Sequence, residues 1–217
     1  MDCDTGYPSG CEVHYGFNAA WSEIEPQVLS AVSTALETNP SYSLVISGHS
    51  LGGGVANLAA SSLRFAHGTV DLYTYGSPRV GNTVFVEYIE SLPGANYRLT
   101  HDADPVPLLP PSILGYRHTS PEYWLVGDST RSEFGVRNVT ICRGLLNFEC
   151  NGGTMWNKIS PFAHSYYFQR VGGCGILAFT AGNQSGSDPM AGLSVGGIAD
   201  VVRADWEAAG KDVEGWF

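Results

Sequence analysis

The sequence predicts an α/β domain built around a mainly parallel sheet, and three observations predict it. A short apolar run of buried-strand type, Leu44-Val45-Ile46, leads at once into a glycine-rich turn from Gly48 to Gly54, and Val55, Leu58, Ala59, Ser62 and Leu63 follow at helical spacing. Strand-like and helix-like segments keep alternating as far as Thr100. The composition, 43% hydrophobic and 15% charged with 27 Gly and 12 Pro, describes a folded, loop-rich chain and not a coiled coil or a disordered one. Alternation of this kind implies parallel strands with helices over both faces. At 217 residues a single large domain with a sizeable core is affordable.

Taken in order, Val28, Leu29, Val32, Ala35 and Leu36 recur at helical spacing, which predicts a helix over 19–38 that Asn39-Pro40 stops. The strand of Leu44 to Ile46, its turn and its helix come next. Val70 to Tyr75 reads as a second strand, Asn82 to Ser91 as a helix with Val84, Phe85, Tyr88 and Ile89 inward, and Asn96 to Thr100 as a third strand. A Pro-rich loop at 105–111, strand-like stretches at 116–126 and 136–142, a cysteine loop and an aromatic segment, Phe162 to Phe168, complete a domain over 1–175. The remainder, 176–217, opens with Gly and Ser and then carries an amphipathic helix around Ile198 to Ala209. It is expected to be a C-terminal extension. No internal repeat is present.

The formal net charge of −10, with only 11 Lys and Arg, argues against a nucleic-acid partner, because phosphate binding needs clustered cations. No run approaches the roughly eighteen apolar residues of a membrane helix. Cys3, Cys11, Cys142 and Cys150 fall as two close pairs, which suggests disulfides Cys3–Cys11 and Cys142–Cys150 in an oxidising, extracellular compartment; free buried thiols are the plainer alternative. Two sequons, at Asn138 and Asn183, point the same way. Residues 1–20 nonetheless hold no apolar signal region, and Cys174 has no partner. An upstream segment carrying a signal peptide and a sixth cysteine would account for both. The six histidines and five cysteines make no HxxxH, HxH or CxxC pattern, so neither a metal nor any other cofactor is expected.

The chemistry lies at Gly48-His49-Ser50-Leu51-Gly52, a GxSxG nucleophile elbow whose glycines permit a strained strand-to-helix turn that lifts the serine Oγ above the sheet. The bare pattern is weak. It recurs at Gly192-Leu193-Ser194-Val195-Gly196, but Ser194 has no strand before it and no histidine after it, whereas Ser50 precedes His67, His101, His118 and His164. Catalytic groups belong at the carboxyl ends of parallel strands. Asp71 opens its strand; Asp102 and Asp104 both follow one, and Asp104 is preferred because Pro105 and Pro107 stiffen its loop. A structural role as a turn aspartate stays open for either. His49 points away from Oγ, His67 ends a helix, His118 sits in a strand-like stretch, and His101 adjoins the acid. His164, last in the chain and in a loop, is the preferred base. In that scheme His164 takes the Ser50 proton, Asp104 orients the imidazole, and the Leu51 N–H binds the oxyanion.

GHSLGG from Gly48, YTYGSPRVGN from Tyr73, DPVPLLPP from Asp104, YRHTSPEYW from Tyr116 and HSYYF from His164 together resemble the fungal class 3 lipases, in particular the secreted mono- and diacylglycerol lipases and related feruloyl esterases. These motifs cover roughly residues 11–174. The resemblance implies an α/β-hydrolase fold, an acylglycerol or other ester substrate that is met at a lipid–water interface, and Ser50, Asp104 and His164 as the triad. It also implies a departure at the front, where the family places further strands, a Ser- or Thr-bearing oxyanion loop and a lid ahead of His14. Loss of a second oxyanion donor typically costs about 10²- to 10³-fold in rate. Alongside a lipase, then, stand a feruloyl-type esterase and a non-catalytic remnant of the fold; labelling of Ser50 by a fluorophosphonate separates enzyme from remnant.

Overall fold

A computed structural model of the chain describes residues 1–3, 6–154 and 159–171. The chain divides into one unit, Met1–Phe168, and a second, Gln169–Phe217. Cys174, Asn183, Ser194 and the helix expected around 198–209 lie outside the described residues.

The first unit is organised by a five-stranded sheet: β1 Leu44–His49, β2 Val70–Tyr75, β3 Asn96–His101, β4 Glu122–Leu125 and β5 Val139–Cys142, neighbours in that order. The first four run parallel, and β5 pairs antiparallel with β4. Parallel neighbours need crossovers. Helix α2, Leu51–His67, supplies the one between β1 and β2, and helix α3, Thr83–Ser91, the one between β2 and β3. The strands at 116–126 and 136–142 are shorter than the sequence pattern predicts. Pro121 has no N–H to give a ladder, so pairing begins at Glu122. Val136–Asn138 instead tightens into a 3₁₀ turn, and His118 lies outside any strand.

Alternation along β2 sets the core. Val70, Leu72 and Thr74 are buried, and Leu72 packs against Ala56 and Ala60 of α2 and Ile89 of α3. Each such fully buried aliphatic side chain contributes about 1.5–3 kcal/mol. The opposite face carries Tyr73, Tyr97 and Tyr123, half-buried, with Tyr73 and Tyr97 stacked at 4.4 Å between centroids. Among the described residues the helices longer than one turn all lie on the Leu72 side. β1 is an edge strand, and its Val45 is 60% exposed.

Helix α1 runs over Tyr15–Thr38, beginning before the periodic stretch because His14 caps it, its Nδ1 accepting from the Phe17 N–H at 3.4 Å. Its end matches the expectation: the Asn39 N–H closes on the Ala35 carbonyl, and Pro40 follows. Phe17 and Trp21 join a cluster with Val13, Leu58, Val80, Phe85 and Val86. The stripe at Val28, Leu29, Val32 and Leu36 is only half-buried. Two disulfides, Cys3–Cys11 and Cys142–Cys150, close loops at the front and beside β5.

Candidate active site

The chain leaves β1 and enters α2 through Ser50, whose φ of 57° and ψ of −132° are strained for a residue with a side chain. The Ser50 N–H donates to the Tyr75 carbonyl at 2.9 Å, and its own carbonyl accepts from the Gly53 N–H at 2.8 Å. Only glycine fits at position 48, where a Cβ would stand 2.3 Å from the Gly52 carbonyl oxygen. Local sequence therefore builds the elbow. The first amides of α2, Leu51 included, sit at a helix N-terminus, where N–H groups lack intrahelical acceptors and favour negative charge.

Asp104 follows β3 in a turn closed by its own N–H on the His101 carbonyl at 2.9 Å. It is fully buried. His164 is buried in a 3₁₀ turn, Pro161–Ser165. The structure brings Ser50, Asp104 and His164 together: His164 Nε2 is 2.8 Å from Ser50 Oγ, and His164 Nδ1 is 2.9 Å from Asp104 Oδ2. The remaining candidates are elsewhere occupied. Asp102 accepts from the Ser129 hydroxyl at 2.6 Å, His118 Nε2 meets the Pro107 carbonyl, and His101 lies between the carbonyls of Ala163 and Asp128. The polar arrangement is a hydrogen-bonded chain from a half-buried hydroxyl through an imidazole to a buried carboxylate.

Five residues that sequence reasoning did not single out complete the site. Tyr167 donates its hydroxyl to Asp104 Oδ2 at 2.6 Å, and burial, followed by the adjacent Asp104 charge, raises the phenol pKa well above its usual value. It stays a donor. The Val106 N–H reaches Asp104 Oδ1 at 2.9 Å, and Asn151 Nδ2 holds the Asp104 main-chain carbonyl at 3.0 Å. Arg79 binds the Pro-rich loop after the acid through the Leu108 and Pro110 carbonyls, with burial first and the Arg98 and Arg117 charges next lowering its pKa to about 10. Gly76, at a φ of 57°, passes beneath the carboxylate, where a Cβ would come within 2.7 Å of Asp104 Oδ2. The only hint of Tyr167 in the sequence is its spacing of three residues from His164. Tyr167→Phe is expected to lower kcat about tenfold with KM nearly unchanged, since a hydrogen bond to a charged group is worth about 1.5–3 kcal/mol and part of it is recovered by relaxation. Steady-state kinetics on a soluble ester checks it.

Beneath the site lies a buried ion pair, Arg98 to Glu122 at 3.1 Å, with Thr100 and Asn147 also donating to the Glu122 carboxylate. Burial raises the Glu122 pKa, but Arg98 and these hydrogen bonds outweigh it and the net shift is downward. His49 and His118 are shifted downward as well, and for them burial is the leading cause: with the neighbouring His164 for His49, and Arg98 and Arg79 for His118, it holds both neutral, His49 with a pKa of about 4. An unfolded histidine protonates near pH 6.5. The unfolded chain thus binds protons first, and stability, full above about pH 6.5, is expected to fall as pH drops through the window toward 4, with Glu122 adding to the loss from its unfolded value, about 4.3, down to its depressed folded one. Melting temperature against pH measures this; a curve flat from about pH 6.5 to 4 contradicts it.

A strained serine between a parallel strand and a helix, over the carboxyl edge of the sheet, defines the α/β-hydrolase fold. The chain belongs to the class 3 lipase family: the family model described as lipase (class 3) matches residues 1–113. It is 49% identical over 170 residues to secreted mono- and diacylglycerol lipase 1 of Fusarium solani, a match that covers 78% of this chain and 50% of that one. The crystal structure of the mono- and diacylglycerol lipase from Aspergillus oryzae superimposes with a TM-score of 0.73 at 34% identity, covering 79% of this chain and 64% of the other. A further structure, of a triacylglycerol lipase whose catalytic centre is described as a serine protease triad, superimposes at 0.68 with 31% identity, over 77% of this chain and 63% of that chain. The chain spans about half the length of the relatives it matches.

Proposed function

We propose that the chain carries the catalytic centre of a carboxylic ester hydrolase acting on acylglycerols, with Ser50 as nucleophile, His164 as base and Asp104 as the group that orients it. The observation that carries this reading is the unbroken relay from Ser50 Oγ through His164 to Asp104, at 2.8 and 2.9 Å. Ser50 Oγ attacks the ester carbonyl carbon as its proton passes to His164 Nε2, and the carbonyl oxygen becomes an oxyanion facing the Leu51 N–H. Collapse breaks the bond to the alcohol oxygen, which takes the proton back from the imidazolium and leaves an acyl-Ser50. Water attacks next, gives its proton to His164, and releases the carboxylic acid while Ser50 recovers its hydrogen. Asp104 remains ionised throughout and stabilises the imidazolium. Acylglycerols are the substrate class because the relatives are named for mono- and diacylglycerol and for triacylglycerol. The test is a fluorophosphonate probe: one equivalent on Ser50, coupled to loss of ester turnover, supports the reading, and an unlabelled Ser50 in folded protein refutes it.

Secretion is part of the same reading, supported by the two disulfides and by relatives named as secreted. Asn138 is the glycan acceptor we assign within the described residues. Its Oδ1 accepts from the Gly135 N–H and from Arg131, both at 3.1 Å, and Thr140, the sequon's third residue, is exposed. In a secreting yeast host, Thr140→Ala is expected to remove the mass that a peptide N-glycanase removes from the parent at this site.

A further inference from the structure

His49 lies next to Ser50 in sequence, and its side chain is engaged by His164. Its Nε2 reaches the main-chain carbonyl of His164 at 2.8 Å, a contact across 115 positions of the chain. A carbonyl oxygen only accepts, so Nε2 carries the ring proton and Nδ1 is bare. The His49 ring also lies over the His164 ring, 4.5 Å between centroids at 33°, and presents itself edge-on to Tyr167 at 5.7 Å.

The turn that carries His164 is otherwise pinned from the side of the acid: the Ser160 N–H donates to the Ala103 carbonyl at 2.9 Å, and His101 Nδ1 is 3.1 Å from the Ala163 carbonyl. Those bonds tie it to the end of β3. Apart from the imidazole's own contact with Ser50 Oγ, the bond from His49 ties the main chain of this turn to the end of β1, the strand that delivers Ser50. We propose that His49 is a positioning residue for the catalytic base, its Nε2–H clamping the His164 main chain to the nucleophile elbow so that the imidazole stands at bonding distance from Ser50 Oγ. This rests on the triad reading above.

The physical requirement is registry between two elements that arrive independently. Ser50 is fixed by β1 and α2, and His164 by a short 3₁₀ turn with little regular structure of its own. A misplacement of about 1 Å between reacting groups costs on the order of 10²-fold in rate. A direct bond from the residue beside the nucleophile to the residue bearing the base removes the freedom that matters most. Burial, then the adjacent His164, keep His49 neutral down to about pH 4, with Asp104 opposing the shift, so the donor persists wherever the base is able to work.

Three substitutions in the full chain separate the parts of the contact. His49→Gln keeps an amide donor near the place of Nε2; His49→Phe keeps a ring without a donor; His49→Ala keeps neither. On a soluble ester, His49→Ala and His49→Phe are expected to lose about 10- to 100-fold in kcat with KM changed less than about threefold, and His49→Gln to recover most of the loss. Full activity in His49→Phe, or His49→Gln as slow as His49→Ala at an equal melting temperature, overturns the clamp. A second readout needs no turnover. In protein with ¹⁵N-labelled histidine, His49 is expected to show a protonated Nε2 and a bare Nδ1 between about pH 5 and 8, and His49→Ala to shift the His164 resonances while His49→Gln restores them. The opposite tautomer, or His164 signals indifferent to His49→Ala, also overturns it. Wild-type turnover in Ser50→Ala would sink the triad reading instead, and the tautomer and resonance shifts would still decide the contact.

Discussion

Ser50→Ala, His164→Ala and the double variant are expected to fall to one common floor of ester turnover, on the order of 10⁴- to 10⁶-fold below the parent chain. The reason is that in the proposed mechanism the hydroxyl and the imidazole act as one unit. The Oγ is a poor nucleophile unless its proton leaves as it attacks, and Nε2 at 2.8 Å is the acceptor for that proton. With either gone the other has nothing to do, so the second substitution adds little. What survives is the contribution of oriented amides and substrate binding. Ser194→Ala, in the second GxSxG match, is expected to change turnover less than about twofold, because a pattern without the strand–turn–helix context positions nothing. Turnover of a short-chain p-nitrophenyl ester measures all four. Additive losses from Ser50 and His164, or equal losses from Ser50 and Ser194, contradict the assignment.

The two glycines of the elbow motif are expected to behave very differently. At Gly48 a Cβ would lie 2.3 Å from the Gly52 carbonyl oxygen and 2.8 Å from the Gly53 nitrogen, both main-chain atoms at the start of α2 that have no room to yield. Gly48→Ala therefore forces the strand and helix apart. It is expected to cost about 3 kcal/mol or more, in the upper range for a single substitution, and to lower the melting temperature by about 6–12 °C. At Gly52 a Cβ meets nothing within 4 Å. Gly52 also stands in the first turn of α2, where alanine is the better helix former by up to about 1 kcal/mol. Gly52→Ala is thus expected to be neutral or slightly stabilising. Thermal melts of the two variants side by side check the pair, and equal destabilisation would count against the close approach at Gly48.

Parts of the fold that rest on short-range rules were legible from the residues. Asn39-Pro40 ends α1 where expected, because a capped carbonyl and a proline act within a turn. Val70–Tyr75 was readable as β2 because each buried Val70, Leu72 and Thr74 alternates with a less buried neighbour. Less legible were β4 and β5, where aromatic and β-branched residues extend well beyond the paired segments and only the ladder shows where pairing stops. The start of α1 was misplaced for a related reason: His14 caps by a ring nitrogen, and no periodicity announces that.

At the site itself, the sequence alone determined the elbow, since Gly48, Ser50 and the helix after them are adjacent and the strain they accommodate is local. It also ordered the candidates, placing an acid after β3 and a histidine near the end of the domain. It did not determine how these are held. The Tyr167 hydroxyl on Asp104, the Asn151 amide on its carbonyl, the path of Gly76 beneath the carboxylate and the bond from His49 to His164 join residues tens of positions apart. Such contacts leave no period in the chain, because a tyrosine or histidine at those positions reads the same whether it packs in a core or donates to a carboxylate. Tertiary packing decides between those outcomes by burying the acid completely, and a buried carboxylate is tolerated only where donors converge on it.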